Sequence, residues 1–322
     1  MTSKRVLIVD QLNMFFRAYI VDPSLSSNGQ PIGGLKGSIK ILQKLVRESN
    51  PDRVVICWDG QGGSKKRKLA NKDYKSGRKP IRLNRDIRNL TENEEIENKV
   101  WQQTRLVDYF NQMPISQIMI QDIEADDVIA YACQMPSLKS WHKIIVSSDK
   151  DFYQLLDNST VLHRPIQKET LNKKDIISKF GIHPNNFTLA RAMAGDKSDA
   201  LPGIGGVGLP TVAKRFPFLS EEKSFSLDDV VDYAKEASQT SNLKAFNMLL
   251  ENEKTFRDNY KIMQLYAPSM SVSAKKTVRD SIELHDRSFN KTEIRKMMIQ
   301  DGFGEYNWSS LFQNLNRMSL DK

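Results

Sequence analysis

Residues 5–10 read Arg5-Val6-Leu7-Ile8-Val9-Asp10, four apolar residues in a row closed by an acid. Continuous β-branched runs of this kind mark strands buried on both faces of a parallel sheet. The pattern recurs along the chain. Residues 53–59 read Arg-Val-Val-Ile-Cys-Trp-Asp, residues 115–120 supply a third strand, and residues 143–149, Lys-Ile-Ile-Val-Ser-Ser-Asp, a fourth. A short strand at Val161-Leu162-His163 follows.

Helical periodicity fills the gaps. Residues 33–46 place Leu35, Ile39, Leu42 and Val46 on one stripe, and Asn50-Pro51 ends it. Residues 93–112 do the same with Ile96, Val100, Val107 and Phe110. Phe15, Phe16 and Tyr19 leave the strand pattern without defining an element. Strands alternating with helices predict a doubly wound α/β sheet. Such sheets bind ligands beyond the carboxyl ends of their strands, where Asp10, Asp59 and Asp149 are each expected to terminate a strand.

A second acidic group arrives at the same edge. Residues 121–134 read Gln-Asp-Ile-Glu-Ala-Asp-Asp-Val-Ile-Ala-Tyr-Ala-Cys-Gln, with Glu124, Asp126 and Asp127 at the start of an apolar helix. Acids suit the positive end of a helix dipole. Yet Glu124 and Asp127 share a face, and two like charges there repel unless a cation sits between them. Asp151 follows Asp149 by two residues, and Asp196 and Asp199 form another pair after a helix at 187–194. These motifs hold no His or Cys. Hard oxygen donors alone suit Mg²⁺ or Mn²⁺ rather than zinc. Carboxylates in such numbers do not all stay ionised together without cations. Two divalent ions ~3.5–4 Å apart suit in-line attack on a phosphodiester.

The net charge of the 322-residue chain is +9, and it is concentrated. Residues 64–88 hold eleven basic side chains: Lys65, Lys66, Arg67, Lys68, Lys72, Lys75, Arg78, Lys79, Arg82, Arg85 and Arg88. Asp73 and Asp86 oppose them, leaving the whole surplus of the protein in one block. A basic block in an otherwise balanced chain points to a polyanion, most often nucleic acid. Tyr74 and the evenly spaced Arg82, Arg85 and Arg88 suggest an ordered face rather than a solvated loop.

Residues 201–214, Leu-Pro-Gly-Ile-Gly-Gly-Val-Gly-Leu-Pro-Thr-Val-Ala-Lys, form a glycine turn with a helix behind it. Outward amides at such a turn bind phosphate without reading sequence. The Gly-Lys-Ser/Thr ending of a P-loop is missing. In the tail, residues 226–235 and 242–252 read as helices, 260–266 as a short strand or buried helix, and 288–300 as a helix capped by Ser288 or Asn290. Trp101 and Phe152 read as core residues rather than base-stacking ones.

No apolar run approaches the ~20 residues of a membrane span. The four apolar residues after Arg5 fall short of the ~7–15 of a signal-peptide core. Cys57 and Cys133 sit in apolar contexts and form neither a disulfide framework nor a zinc cluster. A cytoplasmic protein is expected.

The ordered set Ile8-Val9-Asp10, Trp58-Asp59, Glu124-Ala125-Asp126-Asp127, Ser148-Asp149-Lys150-Asp151 and Gly195-Asp196-x-Ser198-Asp199 resembles the 5′ nucleases. That family includes the 5′-nuclease domain of bacterial DNA polymerase I, flap endonucleases and phage replication exonucleases. Pro202-Gly203 and Gly206-x-Gly208 continue the match, and Tyr74-Lys75-Ser76-Gly77-Arg78 resembles the family's basic segment. The likeness covers residues 5–216; beyond it the chain resembles the T-even phage ribonuclease H type only loosely.

The resemblance implies an α/β, PIN-like, mostly parallel central sheet flanked by helices, with a helical arch at 60–112. Residues 1–182 would be the catalytic domain. Residues 183–322 would be a helical DNA-binding domain with a Gly-rich helix–hairpin–helix at 187–216. It implies two Mg²⁺ ions, with Mn²⁺ as a substitute. Asp10, Asp59, Glu124 and Asp126 or Asp127 would serve the first ion; Asp149, Asp151, Asp196 and Asp199 would serve the second. Lys75 and Arg78 would polarise the scissile phosphate. Arg17 would meet DNA near the 5′ end, alongside Tyr74, Lys65, Lys66, Arg67, Lys68 and Arg82. Gly203, Gly206, Gly208 and Lys214 would grip the duplex, with K⁺ held at the turn.

The implied activity is 5′→3′ exonuclease and flap endonuclease action on DNA or RNA primers during phage-type replication. The protein would act as a monomer on DNA with a 5′ flap, nick or RNA primer. A single-strand-binding protein or polymerase clamp would dock on the tail, though no motif marks it. Two departures stand out: Gln11 where glycine is usual and Ala200 where asparagine is usual. Neither removes a candidate ligand. A junction-binding protein without catalysis would be expected to have lost Asp10, Asp126, Asp149 or Lys75. A small PIN-type ribonuclease would need neither the basic block nor the glycine turn.

Overall fold

The computed structural model describes residues 3–78, 80–87, 89–241, 243–284 and 288–320. Lys79, Arg88 and the start of the expected 242–252 helix, Asn242, lie outside the described residues.

In chain order the first half comprises β1 (Arg5–Asp10), α1 (Gln11–Val21), α2 (Gly33–Ser49), β2 (Arg53–Trp58), α3 (Lys65–Ala70), α4 (Glu92–Asn111), β3 (Ser116–Met119), α5 (Ala125–Gln134), β4 (His142–Val146), β5 (Thr160–Arg164) and β6 (Glu169–Leu171). The second half is helical: α6 (Lys173–Phe180), α7 (Pro184–Ala194), α8 (Leu209–Arg215), α9 (Leu227–Thr240), α10 (Lys244–Glu251), α11 (Glu253–Met263), α12 (Val272–Glu283), α13 (Lys291–Gln300) and α14 (Trp308–Leu320).

The six strands form one sheet in the order β3-β2-β1-β4-β5-β6, parallel except for the β5–β6 pair. β1 is central between β2 and β4, with Val6, Leu7, Ile8 and Val9 fully buried. Its side chains alternate between two cores, as the strand pleat requires. Val6 and Ile8 face the α5 side with Val55, Cys57, Ile145 and Leu162. Leu7 and Val9 face the α1, α2 and α4 side with Val54, Ile56 and Trp58. Each fully buried aliphatic side chain is worth about 1.5–3 kcal/mol.

Both cores run on into the second half of the chain. The α5 side continues into Phe187, Phe216, Phe246, Phe256 and Val278. The opposite side takes in Ile294, Leu311 and Leu315. Tyr306 donates to Gln43 Oε1 at 2.6 Å, and Arg317 donates to the Asn50 carbonyl at 2.8 Å, tying the terminal segment to α2.

Several elements depart from expectation. Asp10 caps α1, accepting from the Asn13 amide, so the Phe15–Tyr19 region is helical. β4 ends at Val146, and Asp149 lies three residues beyond it instead of closing the strand. β6, α6, α12 and α14 were not foreseen. At 260–266 the helical alternative holds rather than the strand: Tyr260 lies in α11, which runs to Met263, and Tyr266 lies beyond it. Asn290 rather than Ser288 caps α13.

α4 corrects the expected apolar stripe. Ile96, Val100 and Trp101 are exposed, while Glu95, Asn98 and Gln102 are buried. Those three side chains satisfy backbone groups of two packed loops and of the first turn of α2: Glu95 accepts from the Leu83 amide, Asn98 donates to the Pro31 carbonyl, and Gln102 accepts from the Leu35 amide. Buried backbone groups need partners, and that need outweighs the periodicity. Phe152, by contrast, is fully buried as expected. No helix among the described residues is long and apolar enough to cross a membrane.

Candidate active site

The sheet changes direction at β1, which has β2 on one side and β4 on the other. Ligands gather at the carboxyl ends of strands at such a point. Here a cleft of about 320 Å³ opens, lined by Asp10, Asp59, Asp126 and Asp149 together with Asn13, Phe16, Arg17, Lys75 and Arg78. Four of the nine predicted acids therefore meet in one cleft, with both predicted catalytic cations and Arg17.

Short hydrogen bonds set the acids. Ser147 donates to Asp10 Oδ2 at 2.8 Å, and its Oγ accepts from the Asp149 amide at 3.1 Å. Asp149 Oδ1 accepts from the Asp151 amide at 2.8 Å. Asn13 Oδ1 accepts from the Ser148 amide at 3.0 Å, bolting α1 to the loop after β4. Asp59 Oδ1 accepts from the Ala125 amide at 2.7 Å, at the first residue of α5.

The electrostatics follow from that crowding. Burial pushes the Asp10 carboxyl up to about 7, with Asp59 and Asp149 adding repulsion. Burial also raises Asp126 well above the usual range, helped by Asp149 and Asp10. Asp149 is raised by burial, with Asp199 and Asp196 adding to it. Asp151 is pushed up to about 7 by burial and by Asp149. These groups resist ionising together, which is the signature of a site short of positive charge.

The remaining acids are already paired. Arg67 lies between Glu124 and Asp127, bonding the first closely and the second at 2.9 Å. Lys75 Nζ donates to Glu124 Oε1 at 2.6 Å, and the Tyr74 hydroxyl to Oε2 at 3.3 Å. Burial pushes the Glu124 carboxyl up, but Arg67 and Lys75 outweigh it and hold the group below its usual range. Arg78 donates to Asp199 at 2.5 Å. Arg191 holds Asp151 and Asp196. Burial favours the neutral form of Asp196 too, yet the Ser198 and Arg191 contacts keep it below the usual range.

The basic block thus divides. α3 and the turns after it fold down onto the acids, and Lys75 takes a left-handed conformation, φ +60°, with its amide on the Asp199 carbonyl at 2.9 Å. Such a conformation is uncommon outside glycine and clusters at functional sites. Arg67 and Tyr74, expected to face nucleic acid, instead turn in to the carboxylates, Tyr74 buried and Arg67 partly buried, and Arg67 Nε anchors to the Ile262 carbonyl at 3.0 Å. Arg82 is drawn to Glu92 and Glu95. Lys66 reaches the Ser269 carbonyl. Lys65 and Lys68 remain exposed and open to a polyanion. Of the expected arch, residues 65–70 and 92–111 are helical, and the described residues between them are turn and irregular chain.

The glycine turn joins α7 to α8. A Cβ on Gly203 would stand 2.2 Å from the Ala194 carbonyl oxygen, so the two chain segments pack backbone to backbone. Gly206, at φ +74°, has open space beside it, and Gly206, Gly208 and Lys214 are all exposed. Paired hydrogen bonds between Asp196 and Leu201 close the intervening loop, which carries Asp199 and Ala200.

Among the described residues, no three acids stand close enough as they are to enclose a single ion. The donor chemistry nevertheless fits a hard divalent cation: recessed carboxylates, raised by mutual repulsion, with no basic partner for Asp10, Asp126 or Asp149 among the described ion pairs. Asn13, Ser147 and Arg191 were not foreseen. Asn13 and Ser147 are spaced two or three residues from Asp10 and Asp149, and Arg191 is a lone charge within an otherwise uncharged helix; those were the available signals.

The family model of the 5′-3′ exonuclease N-terminal resolvase-like domain matches residues 5–181. The chain belongs to the 5′-3′ exonuclease family. It is 30% identical over 213 residues to a 5′-3′ exonuclease of Aquifex aeolicus, covering 65% of this chain and 67% of that one. It is equally 30% identical to the flap endonuclease Xni of a Shewanella species, over 65% of this chain and 74% of that one. Against the DNA polymerase I of Thermus aquaticus the identity is again 30%, but only 23% of the polymerase is covered.

Among solved structures, the 5′-exonuclease of bacteriophage T5, crystallised with metal ions, superposes with a TM-score of 0.64 at 16% identity, covering 92% of this chain and 98% of that one. The flap endonuclease of Methanococcus jannaschii superposes with a TM-score of 0.53 at 14% identity. At these identities the likeness establishes the PIN-like fold. The exonuclease family assignment agrees with the sheet order and with the cleft at its switch point.

Proposed function

We propose that this family member is a divalent-metal-dependent, structure-specific nuclease that hydrolyses phosphodiesters near the 5′ end of a strand, as exonuclease and flap endonuclease. The observation that carries this is the single cleft in which Asp10, Asp59, Asp126 and Asp149 face Lys75 and Arg78. Bound Mg²⁺ ions would supply an activated water and a counter-charge for the leaving oxygen. Asp10, Asp59, Asp126 and Asp149 would hold the first, and Asp149 would share the second with Asp151, Asp196 and Asp199. Asp151, Asp196 and Asp199 lie behind and beside this set.

The protein's own groups do the rest. Lys75 and Arg78 present positive charge to the scissile phosphate, favouring the more negative transition state. To do so they leave Glu124 and Asp199, so substrate exchanges internal ion pairs for phosphate contacts. Arg17 orients the strand at the cleft mouth. Lys65 and Lys68 draw the single-stranded flap by charge alone. The amides around Gly206 and Gly208, with Lys214, hold the duplex backbone some distance from the chemistry. A K⁺ ion at that turn, action on RNA primers, and a place in phage-type replication with a single-strand-binding protein or clamp belong to the same reading. T5 5′-exonuclease has been solved with zinc and, in a variant, with DNA and metal ions, which supports it.

The test is a 5′-labelled flap and a nicked duplex incubated with Mg²⁺, with EDTA, and with the Lys75→Ala variant. Short 5′ products are expected with Mg²⁺ alone, and at least a hundredfold fewer from the variant. Tight binding with no cleavage under any condition would point to a junction-binding protein instead.

A further inference from the structure

Arg191 has no part in the reading above, yet it sits inside the acid cluster. It lies on α7, is 8% exposed, and is the one charged side chain of a helix whose other buried residues are apolar or neutral polar. Its Nη2 reaches Asp151 Oδ1 at 3.1 Å and bonds Asp196 closely, its Nε lies 3.3 Å from Asp151, and its Nη1 reaches the Gly195 carbonyl at 3.4 Å. All three of its nitrogens are therefore engaged. A guanidinium cannot lose its proton under these conditions, and its planar fork matches two carboxylates at once. Asp151 and Asp196 belong to the set that would serve a second metal ion.

We infer that Arg191 is a positioning residue and built-in counter-ion, which makes the second divalent ion bind weakly. Asp10, Asp59, Asp126 and Asp149 carry no such fixed partner among the described ion pairs, so a first ion meets open donors. A second ion must compete with a cation tethered to the buried scaffold. Arg67 does the same for Glu124 and Asp127 on the other flank, but it rides on the basic segment that folds over the cleft, whereas Arg191 is fixed in the core. The two arginines thus divide the acids into an open central set and two pre-neutralised flanks. Arg191 also explains how Asp151 is held without metal: removing the guanidinium would leave two recessed carboxylates facing each other.

The inference rests on the metal-nuclease reading, and Mn²⁺ titration separates the two. Free Mn²⁺ is followed by electron paramagnetic resonance in wild type, Arg191→Met and Arg191→Lys, with no nucleic acid present. Wild type is expected to bind one Mn²⁺ tightly and a second at least tenfold more weakly. Arg191→Met should tighten the second ion about tenfold and leave the first within twofold. Arg191→Lys, which keeps the charge, should stay near wild type. A second-ion affinity unchanged or weakened in Arg191→Met overturns the inference, while absence of any Mn²⁺ binding in wild type overturns the nuclease reading itself. Should Arg191→Met fail to fold, the wild-type Arg191 Nε–H resonance is followed by nuclear magnetic resonance against Mg²⁺. It should move with the second equivalent and not the first; movement with the first, or none at saturation, overturns the inference.

Discussion

Arg67 Nη1 donates to Asp127 Oδ2 at 2.9 Å while also bonding Glu124, and so fills the gap between two like charges on one face of a helix start. The spacing of Glu124 and Asp127 required a cation between them; the chain supplies it from its own basic block. Arg67 is therefore an internal counter-ion, and its loss leaves Asp127 buried and unpaired. Arg67→Ala is expected to lower stability by about 3–5 kcal/mol, the usual cost of breaking a buried pair. Lys65→Ala, two residues away and exposed, should change it by less than about 0.5 kcal/mol. Urea unfolding of both variants decides the matter, and equal, small effects would remove Arg67 from the cluster.

Acid titration gives the second prediction. Asp10 and Asp151 have folded pKa values raised from 3.8 to about 7. A raised carboxyl holds its proton longer in the folded chain than in the unfolded one. Between about pH 4 and 7 the folded protein therefore carries more protons, and its stability falls as pH rises. Without divalent ions, the thermal midpoint should drop from pH 5 to pH 7.5. Millimolar Mg²⁺ should raise it more at pH 7.5 than at pH 5, because binding competes with fewer protons. A midpoint in EDTA that is flat or rising over this range would contradict the clustering of these acids.

Ala200 supplies a third. It sits at φ +55°, a left-handed conformation that costs an alanine about 1–2 kcal/mol. Asparagine tolerates that conformation better. Ala200→Asn should raise stability by about 1 kcal/mol, and Ala200→Val should lower it. The measurement is the shift in urea midpoint; stabilisation by valine would show that the backbone is not strained there.

Salt dependence separates surface cations from internal ones. Lys65→Ala and Lys68→Ala should each weaken binding of a flap substrate regardless of sequence and reduce the slope of log affinity against log salt by about 0.7, the value for single strands. Arg67→Ala should leave the slope unaltered, since its charge is spent on Glu124 and Asp127. A lower slope for Arg67→Ala and none for the lysines would reverse the assignment.

Much of this was legible from residue type and spacing. β1 and β2 announce themselves because parallel strands buried on both faces need unbroken apolar runs. α2 and α5 carry clear stripes. The acids of the cleft were legible because the strand and helix ends bearing Asp10, Asp59 and Asp126 all point to one edge. What the sequence hides is pairing at a distance. Nothing local shows that Arg67 belongs to Glu124 and Asp127, or Arg191 to Asp151 and Asp196. Ile96 and Val100 mislead for a related reason: Glu95, Asn98 and Gln102 are called inward by backbone groups of loops remote in sequence. α14 was missed because its buried face is defined by tertiary partners, α2 more than 250 residues earlier together with Phe289 and α13.

The measurement closest to the central claim compares wild type with Asp149→Asn on a 5′-labelled flap, following both cleavage and binding in Mg²⁺. The substitution keeps the shape of the side chain and removes one charge from the centre of the cleft. The account predicts at least a thousandfold loss of cleavage, with duplex affinity within about threefold of wild type, since binding rests on remote backbone and lysine contacts. Full cleavage by Asp149→Asn would contradict the account, because the carboxylates gathered beyond β1 and β4 would then have no part in the chemistry.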